Sequence, residues 1–402
     1  MTDAAALAPP RLSDIIDQVY ALRNRSTNTK HHNSKESISA NELTEELQPK
    51  LHADIRSIAA QIVADPDSIL VNIYSEQKRR VDWISLKKKK MIGDDGDILP
   101  LDSRSKPGHK ILDHYMRHFW DVKNYKGVSV RSLITQAAME KALLQNIKMH
   151  STPYASEIRR MLTMTGGLGN VTKYGAATTK AIVQYFGAKT VLDPCVGWGG
   201  RMLGTLAAAP DTRYVGCEPD PTTVAALNAI LNDPAILNER PRVQLLSQTI
   251  EDSLLEIQAM PKFDMVLTSP PYFNLEVYTA GDQSIIKYPS WDDWVAKWLK
   301  PVVLGCLATL TPTGTSCWSV KNFKTNKSYP LADVVKKIHT DAGWRLVKTV
   351  AMTGSARPGA KRTEEIDVET TNEEGVKTVV KVKKEVRLSE EETFCFKRAT
   401  TS

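Results

Sequence analysis

Hydrophobic positions divide the chain into two textures. From Arg11 to about His150 apolar residues recur at helical spacing, as at Ile15, Val19 and Leu22, and at Leu133, Ala137, Ala138, Leu143 and Leu144. This pattern predicts a mainly helical N-terminal domain over residues 1–150, interrupted by a polar loop from Asn24 to Glu42. From about Thr152 short apolar runs alternate with helical segments, which is the sequence form of an α/β domain with a parallel sheet over residues 151–402. The expected strands are Thr190–Leu192, Arg213–Cys217, Val243–Leu246, Met265–Thr268, Gly314–Val320, Arg345–Met352 and Thr393–Arg398. Between the last two, a charged segment from Glu364 to Glu392 alternates at Val376–Val386, so it either forms an inserted hairpin or stays mobile.

Composition narrows the chemistry. The 402 residues carry a formal charge of +7, which suits a polyanionic partner without identifying one. The five cysteines, Cys195, Cys217, Cys306, Cys317 and Cys395, include no CxxC pair, so no zinc site, disulfide framework or iron–sulfur centre is expected. His114 and His118 stand one helical turn apart with no third ligand, so they read as a surface pair and not a metal site. No apolar run reaches the roughly eighteen residues a bilayer requires, and the N-terminus has no signal-like pattern. A soluble cytoplasmic protein is the expectation. The run Lys87–Lys90 reads as a solvated loop, with phosphate contact the alternative.

Two motifs carry reaction chemistry. Leu192-Asp193-Pro194-Cys195-Val196-Gly197-Trp198-Gly199-Gly200 joins an expected strand to an expected helix, Met202–Ala209. Glycines there let backbone approach a ligand, and the helix N-terminus offers amide donors. The next strand ends in Glu218, about twenty residues on, where a carboxylate can accept both hydroxyls of a ribose. A dinucleotide would fit this pair too, but the glycine spacing is shorter than GxGxxG and a second motif follows. That motif is Ser269-Pro270-Pro271-Tyr272, at the end of the strand Met265–Thr268. An aromatic amine is a poor nucleophile because its lone pair is delocalised, so a site must hold the NH2 with two acceptors. The Ser269 hydroxyl and Pro270 carbonyl can serve as these, while Tyr272 offers a face for a flipped base.

In this order the motifs resemble those of the S-adenosylmethionine-dependent DNA amino-methyltransferases of the N4-cytosine and N6-adenine type. The resemblance covers the C-terminal portion and implies a Rossmann-like seven-stranded methyltransferase sheet. It also implies S-adenosyl-L-methionine as cofactor, double-stranded DNA as partner, base flipping, and a setting such as restriction–modification. By the same resemblance Asp193, Pro194, Gly197 and Gly199 line the methionine portion of the cofactor, Glu218 holds the ribose and Gln248 meets the adenine. Ser269, Pro270, Pro271 and Tyr272 form the catalytic motif. Lys173 or Thr172, in the loop from Gly166, would close over the methionine carboxylate. Ser at the first motif position favours cytosine N4 over adenine N6. Two departures stand out: Cys195 replaces the family's usual Phe, and Ser247-Gln248 replaces an acidic residue near the adenine, a role Glu251 or Asp252 can also take.

Only about seventy residues separate the motifs, which leaves no room for a base-reading domain between them. Recognition is therefore expected from the N-terminal region, from Asn274–Lys300, or from C-terminal loops such as Ser355–Arg362. The tryptophans at 291, 294 and 298 have helical spacing and read as a packed face. Transfer to RNA or to a protein glutamine, and a decayed methyltransferase fold acting as a nucleic-acid-binding subunit, remain as alternatives.

Overall fold

A computed structural model describes residues 48–101, 105–149, 154–168, 172–278, 281, 283–351, 361–371, 377–387 and 392–399. The expected loops at Asn24–Glu42 and at 355–360, and the helical spacing at Ile15–Leu22, lie outside these residues. Among the described residues the contacts separate two compact units, one drawn from 48–75, 113–172 and 273–283, the other from 76–112, 173–272 and 284–399. Residues 76–112, expected in the N-terminal domain, thus belong to the unit that holds the sheet.

The sheet has seven strands, β1 (Thr190–Asp193), β2 (Arg213–Cys217), β3 (Val243–Leu246), β4 (Phe263–Thr268), β5 (Leu310–Val320), β6 (Trp344–Ala351) and β7 (Glu392–Arg398). Their spatial order is 3-2-1-4-5-7-6. Strands β1 to β5 pair in parallel, and β7 runs antiparallel between β5 and β6. This is the Rossmann-like, doubly wound arrangement expected of a methyltransferase sheet. Val191, Leu192, Met265, Val266 and Leu267 are buried, as expected for strands covered on both faces.

Local chemistry fixes the register at the centre. The Asp264 carboxylate accepts the Thr190 amide at 3.0 Å and hydroxyl at 3.1 Å, while the Thr190 hydroxyl accepts the Asp264 amide at 2.9 Å. These bonds lock β4 beside β1. The helix Ala176–Phe186 leads into β1 and ends at Gly187, whose φ of 65° a side chain would resist. Asp220 caps the helix Pro221–Leu231 after β2, accepting the Thr223 amide at 2.8 Å with proline at the first turn. The charged segment between β6 and β7 forms an antiparallel hairpin, Lys361–Thr371 with Lys377–Arg387.

The other unit is built around the helices Gln48–Ala64, Gln136–Lys148 and Ala155–Thr165, whose apolar faces meet in a core including Ile55, Ile62, Met139, Leu143, Ile158 and Met161. Arg159 is buried there over the Trp120 ring, 4.7 Å from its centroid, and donates to the Ile69 carbonyl. Within this unit Lys123–Asn124 pairs antiparallel with Glu276–Val277. His114 Nδ1 accepts the Tyr74 amide at 3.0 Å. Among the described residues no helix is long and apolar enough to cross a membrane.

Candidate active site

In an open α/β sheet the ligand crevice lies beyond the carboxyl ends of the strands, where the strand order reverses. Here that point falls between β1 and β4. The glycine turn follows β1, Ser269–Tyr272 follows β4, and Glu218 follows β2, so three sequence features leave the same edge on adjacent strands.

Asp193 organises the turn from within. Fully buried, it accepts the Cys195 amide at 3.2 Å on one oxygen, and Arg201 Nε at 2.8 Å and the Tyr214 hydroxyl at 2.7 Å on the other. Arg201 also donates to the Cys195 carbonyl and, at 3.3 Å, to that of Val196, with its guanidinium 5.3 Å from the Tyr174 ring centroid. Burial opposes the Arg201 charge, but the Asp193 carboxylate outweighs it and holds the group above its ordinary value. Burial and the same carboxylate push the Cys195 thiol and Tyr214 hydroxyl well up, so both stay protonated. Arg201, Tyr214 and Tyr174 were not singled out in the sequence; the one local signal was a charged residue placed directly after Gly199-Gly200.

Glycine is needed at this turn for two reasons. A Cβ on Gly200 would lie 2.0 Å from the Tyr174 carbonyl oxygen, so close packing excludes any side chain. Gly197, by contrast, has φ +55° and open space on its Cβ side, so conformation demands glycine while the surroundings leave room for a ligand. Its amide donates to Glu218 Oε2 at 2.9 Å, and the Asp220 amide donates to Oε1 at 3.0 Å. The carboxylate is thus oriented by the backbone, and each oxygen keeps a further lone pair for a ligand hydroxyl. Burial pushes Glu218 up from its ordinary value to about 7, against the two amides that favour its charge.

The other expected cofactor residues are more dispersed. Pro194 is buried, Gly199 takes φ +79°, and Lys173 is half-buried ahead of the helix Ala176–Phe186. Gln248 is exposed just after β3. The two acidic alternatives to it are engaged elsewhere. Asp252 accepts the Thr249 hydroxyl at 2.7 Å, and Glu251 accepts Trp298 Nε1 at 3.1 Å and faces Lys287 Nζ at 3.6 Å.

Along the catalytic motif Ser269 and Pro271 are half-buried and Pro270 and Tyr272 buried. Thr268, the last residue of β4, is fully buried, and among the described residues its hydroxyl has no partner. The Tyr272 ring meets Phe323 edge-on, 5.6 Å between centroids, and Phe323 stacks on Tyr329 at 5.1 Å. Trp291 lies 5.1 Å from Tyr329, and stacking continues through Trp294 to Trp298. Trp294 and Trp298 are buried, so the tryptophan face packs as the helical spacing predicted. The ladder gives Tyr272 a fixed orientation.

No family profile matches the sequence, and no curated protein matches it. Among solved structures, a precorrin-6y C5,15-methyltransferase from Geobacter metallireducens GS-15 is 12% identical, with 55% of this chain and 86% of that one covered and a TM-score of 0.32. TrmN from Thermus thermophilus is 14% identical over 56% of this chain and 49% of that one, with a TM-score of 0.33. The O-methyltransferase TomG from Streptomyces achromogenes, solved with S-adenosylmethionine, is 12% identical over 59% of this chain and 86% of that one, with a TM-score of 0.31. At such scores the likeness carries no weight of its own, and the fold rests on the order and direction of the seven strands.

Proposed function

We propose that the protein is an S-adenosylmethionine-dependent methyltransferase acting on the exocyclic amino nitrogen of a base in DNA, with cytosine N4 favoured over adenine N6. The observation that carries this reading is the placement of Ser269–Tyr272 at the end of β4, beside the glycine turn that ends β1 and the carboxylate that ends β2. The residues fit such a cofactor: Glu218 presents an oriented, ligand-accepting carboxylate, and Gly197 leaves open space beside it. When bound, the cofactor supplies an electrophilic methyl group on a sulfonium.

In this reading the chain's own residues do three things. Glu218 holds the ribose hydroxyls, which fixes the nucleoside along the turn. The Ser269 hydroxyl and Pro270 carbonyl would accept hydrogen bonds from the two amine hydrogens, turning the nitrogen lone pair toward the methyl group as its ring conjugation is lost, and the proton the nitrogen sheds on methylation would pass to solvent water. Tyr272 provides the stacking surface, which requires its buried face to be uncovered as the base enters. No side-chain nucleophile takes part, because displacement at carbon needs alignment and exclusion of water more than covalent help. Exposed Lys321, Lys324 and Lys327 follow β5 around Phe323, the ring that contacts Tyr272, and suit a phosphate backbone. The helical unit is proposed to take part in substrate recognition.

Transfer of tritiated methyl groups to duplex DNA, RNA and protein in parallel tests this. Label in DNA that is lost in Ser269→Ala and Tyr272→Ala, with cofactor affinity changed less than about threefold, is the expected result. Label confined to RNA or protein would redirect the reading to that substrate, and cofactor binding without transfer to any of the three would refute it.

A further inference from the structure

A second feature lies at the opposite edge of the sheet. A cavity of about 530 Å³ is lined by residues that lead into β1 and β2, among them Lys189 and Thr212, and by Lys180 and the run Lys87–Lys90. These segments precede the strands, so the cavity sits at their amino ends, away from the edge that carries the glycine turn and Ser269. Its volume is that of a small-molecule site.

Among the described residues six lysines line it and no acidic residue does. Lys87 pairs with Glu239 at 3.1 Å, Lys90 with Asp94 at 2.5 Å and Lys189 with Asp211 at 2.8 Å. Among the described residues, three acidic partners against six lysines leave an excess of three positive charges. Lys88 is exposed, and Lys89 donates to the Ser105 hydroxyl at 2.7 Å. Lys180 is buried, and its ammonium donates to the carbonyls of Leu86, Lys87 and Lys89 at 3.0, 2.7 and 2.7 Å.

The plainer role for such lysines is to neutralise helix ends. The helices Glu76–Lys88, Ala176–Phe186 and Gly200–Ala208 all finish at this cavity with their carbonyls. Each end carries roughly half a negative charge, about one and a half in all, and Lys180 alone already occupies three carbonyls. With Lys180 engaged there, Lys88 and Lys89 are left as two ammonium groups beyond that demand. Thr212, which lines the cavity, is fully buried, and among the described residues its hydroxyl has no partner. A buried hydroxyl in that state is costly until an acceptor reaches it. Phosphate oxygens would accept both the hydroxyl and the lysine ammonium groups.

We propose that this cavity binds a compact polyanion with adjacent phosphate groups. This site is independent of the methyl-transfer reading. The group can come from a free oligophosphate or from consecutive phosphates of a nucleic-acid backbone, and one experiment separates the two sources. Inorganic tripolyphosphate is titrated into the full chain by calorimetry at low salt, alongside a short DNA duplex. Three variants are compared: Lys88→Ala/Lys89→Ala, Thr212→Val, and a control at exposed lysines elsewhere, Lys297→Ala/Lys337→Ala.

One tripolyphosphate per chain is expected, with affinity reduced at least tenfold in Lys88→Ala/Lys89→Ala, reduced also in Thr212→Val, and unchanged within twofold in the control. If the backbone is the source, the logarithmic salt dependence of duplex binding falls by about two in the double lysine variant. An unchanged slope with tripolyphosphate binding lost assigns the site to a free oligophosphate. Absent binding, or equal loss in the control and the double lysine variant, overturns the proposal. So does an unchanged affinity with a lowered melting temperature, which would leave the lysines only their helix-end role.

Discussion

Glu218 makes the cofactor site testable through protons alone. Burial raises its carboxyl from the ordinary 4.5 to about 7, with the amides of Asp220 and Gly197 pulling the other way. A carboxyl with that value is about one-tenth ionised at pH 6 and nine-tenths at pH 8, and only the ionised form can accept two ribose hydroxyls without competition from its own proton. Affinity for the nucleoside should therefore rise about tenfold from pH 6 to pH 8, or ~1.4 kcal/mol. The suitable ligand is 5′-methylthioadenosine, which keeps ribose and adenine but lacks the amino-acid portion, whose ammonium titrates in the same range. Calorimetry in buffers of different ionisation enthalpy should show proton release near pH 6.5. In Glu218→Gln affinity should be weaker at pH 8 and nearly independent of pH. A flat profile in the wild-type protein, or the same slope in Glu218→Gln, would refute the assignment of Glu218 to the ribose. The same shift has a consequence for folding. A raised carboxyl value means that the buried group favours its proton, so its stabilising contribution is full below about 4.5 and is lost as pH rises through about 7, about 3 kcal/mol in all.

Other perturbations probe the scaffold. Asp193→Asn leaves the Arg201 guanidinium buried beside a neutral partner and should cost about 3–5 kcal/mol in denaturant unfolding; a loss under about 1 kcal/mol would show that the pair does not organise the turn. His339 is held near 4 by burial and bonds to Ser316 Oγ at 2.9 Å and to the Val335 carbonyl at 2.8 Å. It is neutral in the fold, so its contribution is full above about 6.5 and is lost as pH falls toward 4, roughly 3 kcal/mol that should be measurable as a proton uptake on unfolding and absent in His339→Gln. Gly197→Ala meets no atom within 4 Å and suffers only from its positive φ, so it should fold with a loss of about 1–2 kcal/mol and bind nucleoside more weakly. Gly200→Ala, with a Cβ only 2.0 Å from a backbone oxygen, should fail to yield soluble folded protein.

What was legible in the sequence is what local chemistry dictates. The expected strands Arg213–Cys217 and Val243–Leu246 match β2 and β3 end to end, because apolar runs bounded by polar turns leave little choice. Strand β5 begins at Leu310, four residues before the expected Gly314, because Thr311-Pro312-Thr313-Gly314 reads as a turn while the backbone remains extended there. The glycine turn, Glu218 and Ser269–Tyr272 were visible because each is set by its own strand end. Hidden were the groups held by distant partners. The Tyr214 hydroxyl on Asp193 and the Tyr174 hydroxyl 2.8 Å from that of Thr393 depend on strand neighbours, which the residues themselves do not announce. The interleaved units were hidden for the same reason: the pairing of Lys123–Asn124 with Glu276–Val277 is two residues long and carries no periodicity. The run Lys87–Lys90, expected as a solvated loop, is partly helix end and lines a cavity, since Lys180 on another helix binds its carbonyls.

Methylation of a base amine through Ser269–Tyr272 is checked by identifying the product. Duplex DNA is incubated with the protein and S-adenosylmethionine carrying a deuterated methyl group, digested to nucleosides and resolved by mass spectrometry, with Ser269→Ala as control. Deuterated N4-methylcytosine is expected with the wild-type protein and none with the variant. Deuterated methyl on cytosine C5, undiminished label with Ser269→Ala, or no labelled nucleoside from a protein that binds the cofactor would contradict it.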